Sequence, residues 1–555
     1  MKKVLTCFLS FWAMCSIAQV SPSKYWIKLA DKNNTPYTLS NPQGFLTQRA
    51  VNRRLLQNIP VDSTDLPINA LYISAINATG AQVINNSKWF NSVTILIANA
   101  SQLTAVQALP FVVSSQPVFK KYKTKTSDKF DPLPGVFAKQ SIINRENDLH
   151  ALNYGNSFSQ INMIGANYLH VAGYQGQGVV IAVIDAGFLN VNVDPVFDSI
   201  RLNNQILGVR DFVTGDGSVY EDYYHGSAVL STMGGNLPGQ LIGTAPKANY
   251  WLLRSEDVGS EYLIEEVNWV IAAEFADSVG ADIINSSLGY TTFDDANQNH
   301  TYAQMDGNVA IATIGADKAA SKGIIVVNSA GNEGGTLWHY IGVPADGDSV
   351  FTIGAVDANR IRAGFSSTGP SYDGQIKPNV AAQGAGTIIT DGVGGTFSGN
   401  GTSFSAPVIS GATACLVQAF PLKTNMEILD AIQRSCDHYN SPDSLTGYGI
   451  PNYSIASLLL SQPEYAKKKS ISFLDVFPNP FVSELDFVYY SAKSELIQIT
   501  LNDITGRILY TESAKGYNDG YMKIRIPNSS ELPVGMYFLK LSSPSTTIIK
   551  KVIKN

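Results

Sequence analysis

Four short apolar runs decide what the middle of this chain can become: Val179-Val180-Ile181-Ala182-Val183-Ile184, Tyr250-Trp251-Leu252-Leu253, Asp282-Ile283-Ile284-Asn285 and Ile324-Ile325-Val326-Val327. None alternates between apolar and polar residues, so none has a face to turn to water. Strands of this kind are buried on both sides, as in a parallel sheet covered by helices. Between two of them Leu263, Val267, Val270, Ile271 and Phe275 recur at helical spacing. Strand runs mixed with a helical pattern predict an α/β domain with a doubly wound parallel sheet over residues 154–460.

At 555 residues the chain is too long for one core, and its flanks read differently. Residues 1–18 have the form of an export signal: basic Lys2 and Lys3, an apolar stretch from Val4 to Ile17, and Ser16-Ile17-Ala18 as the cleavage site. A membrane anchor needs about 20 apolar residues, more than this run supplies. Lipid attachment at Cys15 is disfavoured by the bulky Met14 before it. From Tyr25 to Phe119 a small α+β unit is expected. Its elements are a strand at Tyr25–Leu29, an Arg-rich helix over Phe45–Gln57, a strand at Val93–Ile97, a helix over Leu103–Leu109 and a strand around Phe111–Val113. Residues 120–153, with Lys120-Lys121-Tyr122-Lys123-Thr124-Lys125 and Asp131-Pro132-Leu133-Pro134-Gly135, read as a linker.

After Lys467-Lys468-Lys469 the pattern changes again, to alternating strands over residues 471–555. Ile497, Ile499 and Leu501 share one face, Met522, Ile524 and Ile526 repeat the pattern, and Asp503-Ile504-Thr505-Gly506 supplies a turn. A small antiparallel β-sandwich is expected there. With the signal removed, Cys415 and Cys436 are the cysteines left, and the sequence leaves open whether they pair or stay buried thiols. The charge balance, 39 basic against 45 acidic residues, gives no footprint for nucleic acid.

In open α/β sheets functional groups gather where strands end, at their carboxyl edge. The first apolar run ends in Asp185-Ala186-Gly187. His225, one of six histidines, stands in Tyr223-Tyr224-His225-Gly226-Ser227 where a helix is expected to begin. The fourth run leads into Ser329-Ala330-Gly331-Asn332-Glu333-Gly334. Ser403 lies in Gly401-Thr402-Ser403-Phe404-Ser405-Ala406-Pro407, before the apolar stretch Val408–Phe420. Pro407 suits the first turn of a helix starting near the serine, where free N–H groups and the helix dipole favour negative charge. Taken singly, these are a strand-to-turn junction, a structural histidine, a capping Asn and a serine. Together, in the order Asp, His, Ser, they make a nucleophile, a base and its orienter, the order found in subtilisin and not in chymotrypsin or α/β-hydrolases.

On those residues, and on Gly447-Tyr448-Gly449-Ile450-Pro451-Asn452 near the domain end, residues 154–460 resemble the subtilase family of serine peptidases. The resemblance implies an Asp185–His225–Ser403 triad, with Asn332 and the Ser403 N–H as oxyanion hole. It implies that Ser287-Leu288-Gly289 pairs with an extended peptide and that Gly342 floors the primary specificity pocket. Room there suggests a large apolar residue, and the sequence shows no acidic group that would select Lys or Arg. Two positions depart from the family pattern: Ala186, where Ser or Thr usually follows the Asp, and Ser227 in place of Thr. Residues 19–119 are expected to form a ferredoxin-like inhibitory prodomain released by cleavage in 120–153.

Residues 471–555 resemble the sorting domain of type IX secretion. The carrying motifs are Val476-Phe477-Pro478-Asn479-Pro480-Phe481, Asp503-Ile504-Thr505-Gly506-Arg507, Leu532-Pro533-Val534-Gly535-Met536-Tyr537-Phe538 and Lys550-Lys551-Val552-Ile553-Lys554. The expectation is a secreted or surface endopeptidase. Its partners would be polypeptide substrates, its own prodomain and the type IX machinery, with no nucleic acid, and the enzyme would act as a monomer. No cofactor is expected for catalysis. Subtilases often bind structural calcium, but no acidic spacing here places a site. Two rivals are weighed: a non-catalytic surface-binding protein, which has no chemical need for all four residues, and an α/β-hydrolase lipase, which requires Gly-x-Ser-x-Gly with the His last.

Overall fold

The computed structural model describes residues 23–120, 152–221, 223–461, 471–491, 493–515 and 520–555. The expected signal peptide, nearly all of the 120–153 linker and Lys467–Lys469 lie outside these residues. In chain order the first part runs through β1 (Ser23–Leu29), α1 (Gln48–Leu56), α2 (Ala70–Ala78), β2 (Gln82–Ser87), β3 (Ser92–Ile97), α3 (Ala100–Gln107) and β4 (Val112–Lys120). By its contacts the chain forms two compact units: residues to 36 with 66–124, and residues 37–65 with 125–555. Helix α1 therefore belongs to the second unit.

In the first unit the strands form an antiparallel sheet in the order β2-β3-β1-β4. Ile27, Leu29, Val93, Ile95 and Ile97 pack with Ile76 of α2 and Val106 of α3. An antiparallel four-stranded sheet with two helices suits the expected ferredoxin-like shape. The sequence reading lacked α2 and β2. Strand β2 is Gln-Val-Ile-Asn-Asn-Ser, whose paired asparagines hide its pattern, and it is held by pairing to the apolar β3.

The second unit is built on a seven-stranded parallel sheet. Its strands are β5 (Val180–Asp185), β6 (Ile206–Asp211), β7 (Asn249–Arg254), β8 (Ile283–Ser286), β9 (Ile325–Ser329), β10 (Val350–Val356) and β11 (Val380–Gln383), in the order β11-β10-β9-β8-β5-β7-β6. The four apolar runs are β5, β7, β8 and β9. Helices α4 (His225–Gly234) and α7 (Thr402–Ala419) pack together on one face, sharing a core with Ile181, Val183, Ile283 and Val327. Helices α5 (Ile264–Val279) and α6 (Ile311–Ser321) pack together on the other.

One expectation needs correcting. Helix α7 begins at Thr402, so Pro407 lies inside it and not in its first turn. A proline there cannot donate to the carbonyl four residues back, which is that of Ser403. The orphaned carbonyl instead accepts the Ser287 hydroxyl at 2.9 Å.

Cys415 and Cys436 are both free and buried, and burial raises the pKa of each thiol. Residues 471–555 form the expected antiparallel sandwich, a three-stranded sheet and a four-stranded one. Phe487, Tyr489, Ile497, Ile499, Leu501, Leu539 and Leu541 make the layer of buried residues they share. Among the described residues no helix is long and apolar enough to cross a membrane.

The fit of α7 against the core is tight at Gly411, where an added methyl would overlap the Thr244 side chain. Gly411→Ala, made in a Ser403→Ala background to prevent self-digestion, should lower unfolding stability by about 1–3 kcal/mol in a denaturant titration.

Candidate active site

Parallel strands carry their C-terminal residues to one edge, and the site is assembled there. Asp185 is the last residue of β5 and fully buried. Its Oδ1 accepts the Ala186 N–H at 2.7 Å and lies 2.7 Å from Nδ1 of His225, the first residue of α4. The short approach of α4 to the loop after β5 explains Gly226, where a Cβ would overlap the Gly187 carbonyl. Ser227 adds a tie, its hydroxyl donating to the Leu189 carbonyl at 2.7 Å. At Ala186 no hydroxyl is available, and Asp185 Oδ2 is buried without a hydrogen-bond partner among the described residues.

Ser403 is the second residue of α7, and its Oγ donates a long bond, 3.4 Å, to the Ser287 carbonyl. The ring of Phe404, next in the chain, lies 6.2 Å from the His225 imidazole, which places α7 beside the Asp185–His225 pair. Gly401, just before the helix, has φ 153° and ψ 147°, a conformation that side chains rarely adopt. Asn332 follows β9. Its Oδ1 accepts both the Thr402 N–H at 2.9 Å and the Thr402 hydroxyl at 3.0 Å. Two donors on the oxygen settle the amide's orientation and leave Nδ2 as the outward donor. A Cβ on Gly401 would come within 3.7 Å of that nitrogen, so it faces the start of α7.

Beside these groups runs a cleft of about 320 Å³, lined by Ser287, Leu288, Gly289, Asn332 and Ser403 among others. Gly342 is not among the lining residues. It backs them, since a Cβ there would meet the Thr291 methyl at 3.2 Å and the Tyr290 carbonyl at 3.3 Å. The cleft is also acidic, with Glu256, Glu261, Asp294 and Glu333 in its wall and no Lys or Arg. The expectation that no acidic group selects Lys or Arg concerned the specificity pocket, and these carboxylates belong to the wall of the cleft as a whole. Glu256 and Glu261 share the loop between β7 and α5, while Asp294 and Glu333 come from two other loops, so the full set has no single sequence spacing. Glu256, Glu261 and Glu265 bring one oxygen each within 4.8 Å of one another. Glu256 accepts the Tyr290 hydroxyl at 2.6 Å, and Glu265 accepts the Asp257 N–H at 2.9 Å, bonds that order this turn.

Among the described residues, His170 has structural surroundings. His170 lies between the Tyr154 hydroxyl at 2.7 Å and the Thr244 carbonyl at 2.9 Å, and burial lowers its pKa. Thr402 and the Ser287 hydroxyl were not singled out by the sequence reading. Thr402 precedes Ser403 in its motif and Ser287 opens Ser287-Leu288-Gly289, and those places are the signal the sequence offers for them.

Known proteins resemble the chain in three segments. Residues 176–449 match the Subtilase family, 24–131 the Peptidase S8 propeptide domain of Bacteroidota, and 475–555 the Secretion system C-terminal sorting domain. Subtilisin E of Bacillus subtilis (strain 168) is 32% identical over 302 residues, which span 54% of this chain and 70% of that protein. Subtilisin of Bacillus pumilus is 32% identical over 302 residues, covering 97% of its length. A crystal structure of MycP1 with the N-terminal propeptide removed is 22% identical, covers 55% of this chain and 98% of its own, and has a TM-score of 0.44. The chain belongs to the subtilase family. It is a serine endopeptidase with a propeptide domain, and its C-terminal domain directs it through type IX export to the cell surface or beyond.

If Thr402 sets the orientation of Asn332, Thr402→Val removes one of the two bonds on Oδ1 while keeping shape. Steady-state kinetics should then show kcat down roughly tenfold, the worth of one hydrogen bond, with KM little changed.

Proposed function

We propose that this endopeptidase cleaves polypeptides by acyl transfer to Ser403. The observation that carries the reading is the 2.7 Å bond between His225 Nδ1 and the accepting carboxylate of buried Asp185, at the edge where α7 presents Ser403. A carboxylate on Nδ1 keeps the proton there and leaves Nε2 as the base. Ser403 Oγ attacks the scissile carbonyl carbon as its proton passes to His225. The tetrahedral intermediate's oxygen then takes hydrogen bonds from Asn332 Nδ2 and the Ser403 N–H at the N-terminus of α7. His225 returns the proton to the leaving amine, and water repeats the sequence to free the acyl group. Each of these steps uses a group of the chain itself.

An extended peptide would lie along Ser287-Leu288-Gly289 by main-chain pairing, which gives breadth of specificity. The absent side chain at Gly342, behind Tyr290 and Thr291, supports a preference for a large apolar residue before the cut bond. The four carboxylates in the cleft wall work against acidic residues in the substrate, since like charges in a partly desolvated groove repel. The propeptide domain would act as the intramolecular inhibitor until the linker is cut, making the exported chain a zymogen.

A fluorophosphonate should label the wild type and fail to label Ser403→Ala. Equal labelling would remove Ser403 as nucleophile. Asn332→Ala should lower kcat about 100- to 1,000-fold with little change in KM, a magnitude known from subtilisin itself. Cleavage-site profiling on a proteome digest should show large apolar residues before the cut and Asp and Glu depleted on that side. Enrichment of acidic residues would contradict the electrostatic part, and cleavage after basic residues alone would contradict the apolar part.

A further inference from the structure

The Arg-rich helix α1 has no part in the chemistry above, yet its Arg53 and Arg54 are buried within a network of charges. It sits in the 37–65 segment, which interrupts the propeptide domain between β1 and α2 but packs with the catalytic unit. Arg54, 1% exposed, forks onto Asp65 at 2.6 and 3.0 Å and also reaches both oxygens of Asp277, at the end of α5, at 2.7 and 2.9 Å. Arg53 binds Asp277 at 2.5 Å as well as the carbonyls of Lys322, at 3.3 Å, and Ala281. Arg49 pairs with Asp282 and donates to the Gly280 carbonyl at 2.8 Å. From the catalytic side Lys322 returns the contact, reaching Asp62 at 2.9 Å and Asp65 at 3.2 Å, with Lys318 at the rim 3.9 Å from Asp62.

These bonds fall where a helix end leaves carbonyls without partners. The Thr47 N–H binds the Ser278 carbonyl at 2.9 Å, and the Gln57 amide binds the Gly323 carbonyl just past α6 at 2.8 Å. The cations of α1 lie at the C-terminal end of α5, where the helix dipole favours them. Packing is close: a Cβ on Gly280 would stand 2.8 Å from the Ala50 nitrogen. Asp277 and Asp65 are fully buried, so withdrawing α1 separates partners that face each other away from water. Breaking one side of such a network is far costlier than its net contribution to stability suggests.

We propose that residues 37–65 are a structural part of the catalytic domain and stay bound to it after the rest of the prodomain has been cut away. The active enzyme is then a two-chain complex, with a propeptide-derived staple capping the ends of α5 and α6. The inference rests on maturation by cleavage in 120–153, as described under the proposed function, and on two further peptide-bond hydrolyses, one between β1 and α1 and one between α1 and α2, that free the segment from the rest of the prodomain. The face that α1 covers is an interaction surface whose partner is this segment of the same chain.

Two measurements test it. Active enzyme purified after maturation should show, by native mass spectrometry, a peptide containing residues 48–56 bound one-to-one and released under denaturing conditions. Fully active enzyme lacking any such peptide overturns the proposal. Hydrogen exchange on full-length Ser403→Ala protein in rising denaturant needs neither activity nor maturation. There the α1 amides should lose protection together with α5 and β8, and loss together with β1 and β3 overturns it. In Arg54→Met the active enzyme should lose the peptide and show a thermal inactivation half-life at least about tenfold shorter. Loss of the peptide with an unchanged half-life would deny it a stapling role.

Discussion

Burial of both faces of the parallel sheet is the constraint on which the catalytic unit depends. A strand with helices above and below has no place for a polar side chain along its length, so polar residues are pushed to its ends. Because the strands are parallel, those ends lie along one edge. Asp185 closes β5, the Ser287 segment follows β8 and Asn332 follows β9, and sheet order brings these three strands side by side as β9-β8-β5. Helices α4 and α7, packed together on one face, bring His225 and Ser403 in at their first turns. No loop has to carry a reacting group far from the rigid part of the fold.

Pre-organisation at this edge is set by local bonds of ordinary strength. Asn332 is turned by two bonds from one threonine, and Asp185 has its Oδ1 shared between its own following amide and the imidazole. Glycines answer two separate needs: Gly226 lets α4 pass close to the Gly187 carbonyl, and Gly401 takes a φ of 153° just ahead of Ser403. Electrostatics is added from a different quarter. The loops framing the cleft supply carboxylates without a compensating cation among the lining residues, so the groove has a sign as well as a shape.

Much of this was legible in the sequence, for identifiable reasons. The unbroken apolar runs announce doubly covered strands, and Asp185, His225, Asn332 and Ser403 each stand in a short segment whose neighbours are fixed by tight backbone geometry. What could not be read depends on contacts between distant segments. Glu256, Glu261, Asp294 and Glu333 look like ordinary surface charges until the loops come together. Strand β2 has too little apolar character to announce itself, and it exists because β3 offers an edge to pair with. The allegiance of α1 is similar: the sequence places this Arg-rich helix in the small α+β unit, and Asp277 and Lys322, far off in the chain, bind it to the other unit. Pro407 was placed too early because proline statistics favour a first turn, while here a side chain from another segment takes over the carbonyl it deprives.

That exchange has a mechanical meaning. In an uninterrupted helix the carbonyl of Ser403 would answer only to α7, and that serine would be anchored to its own helix alone. With Pro407 in place, the carbonyl is held by the Ser287 hydroxyl, and the Ser403 Oγ leans toward the Ser287 carbonyl. The segment proposed to pair with substrate and the proposed nucleophile are therefore joined by two hydrogen bonds. A peptide that shifts one in docking shifts the other with it, so the distance between bound bond and nucleophile is buffered against small motions of either.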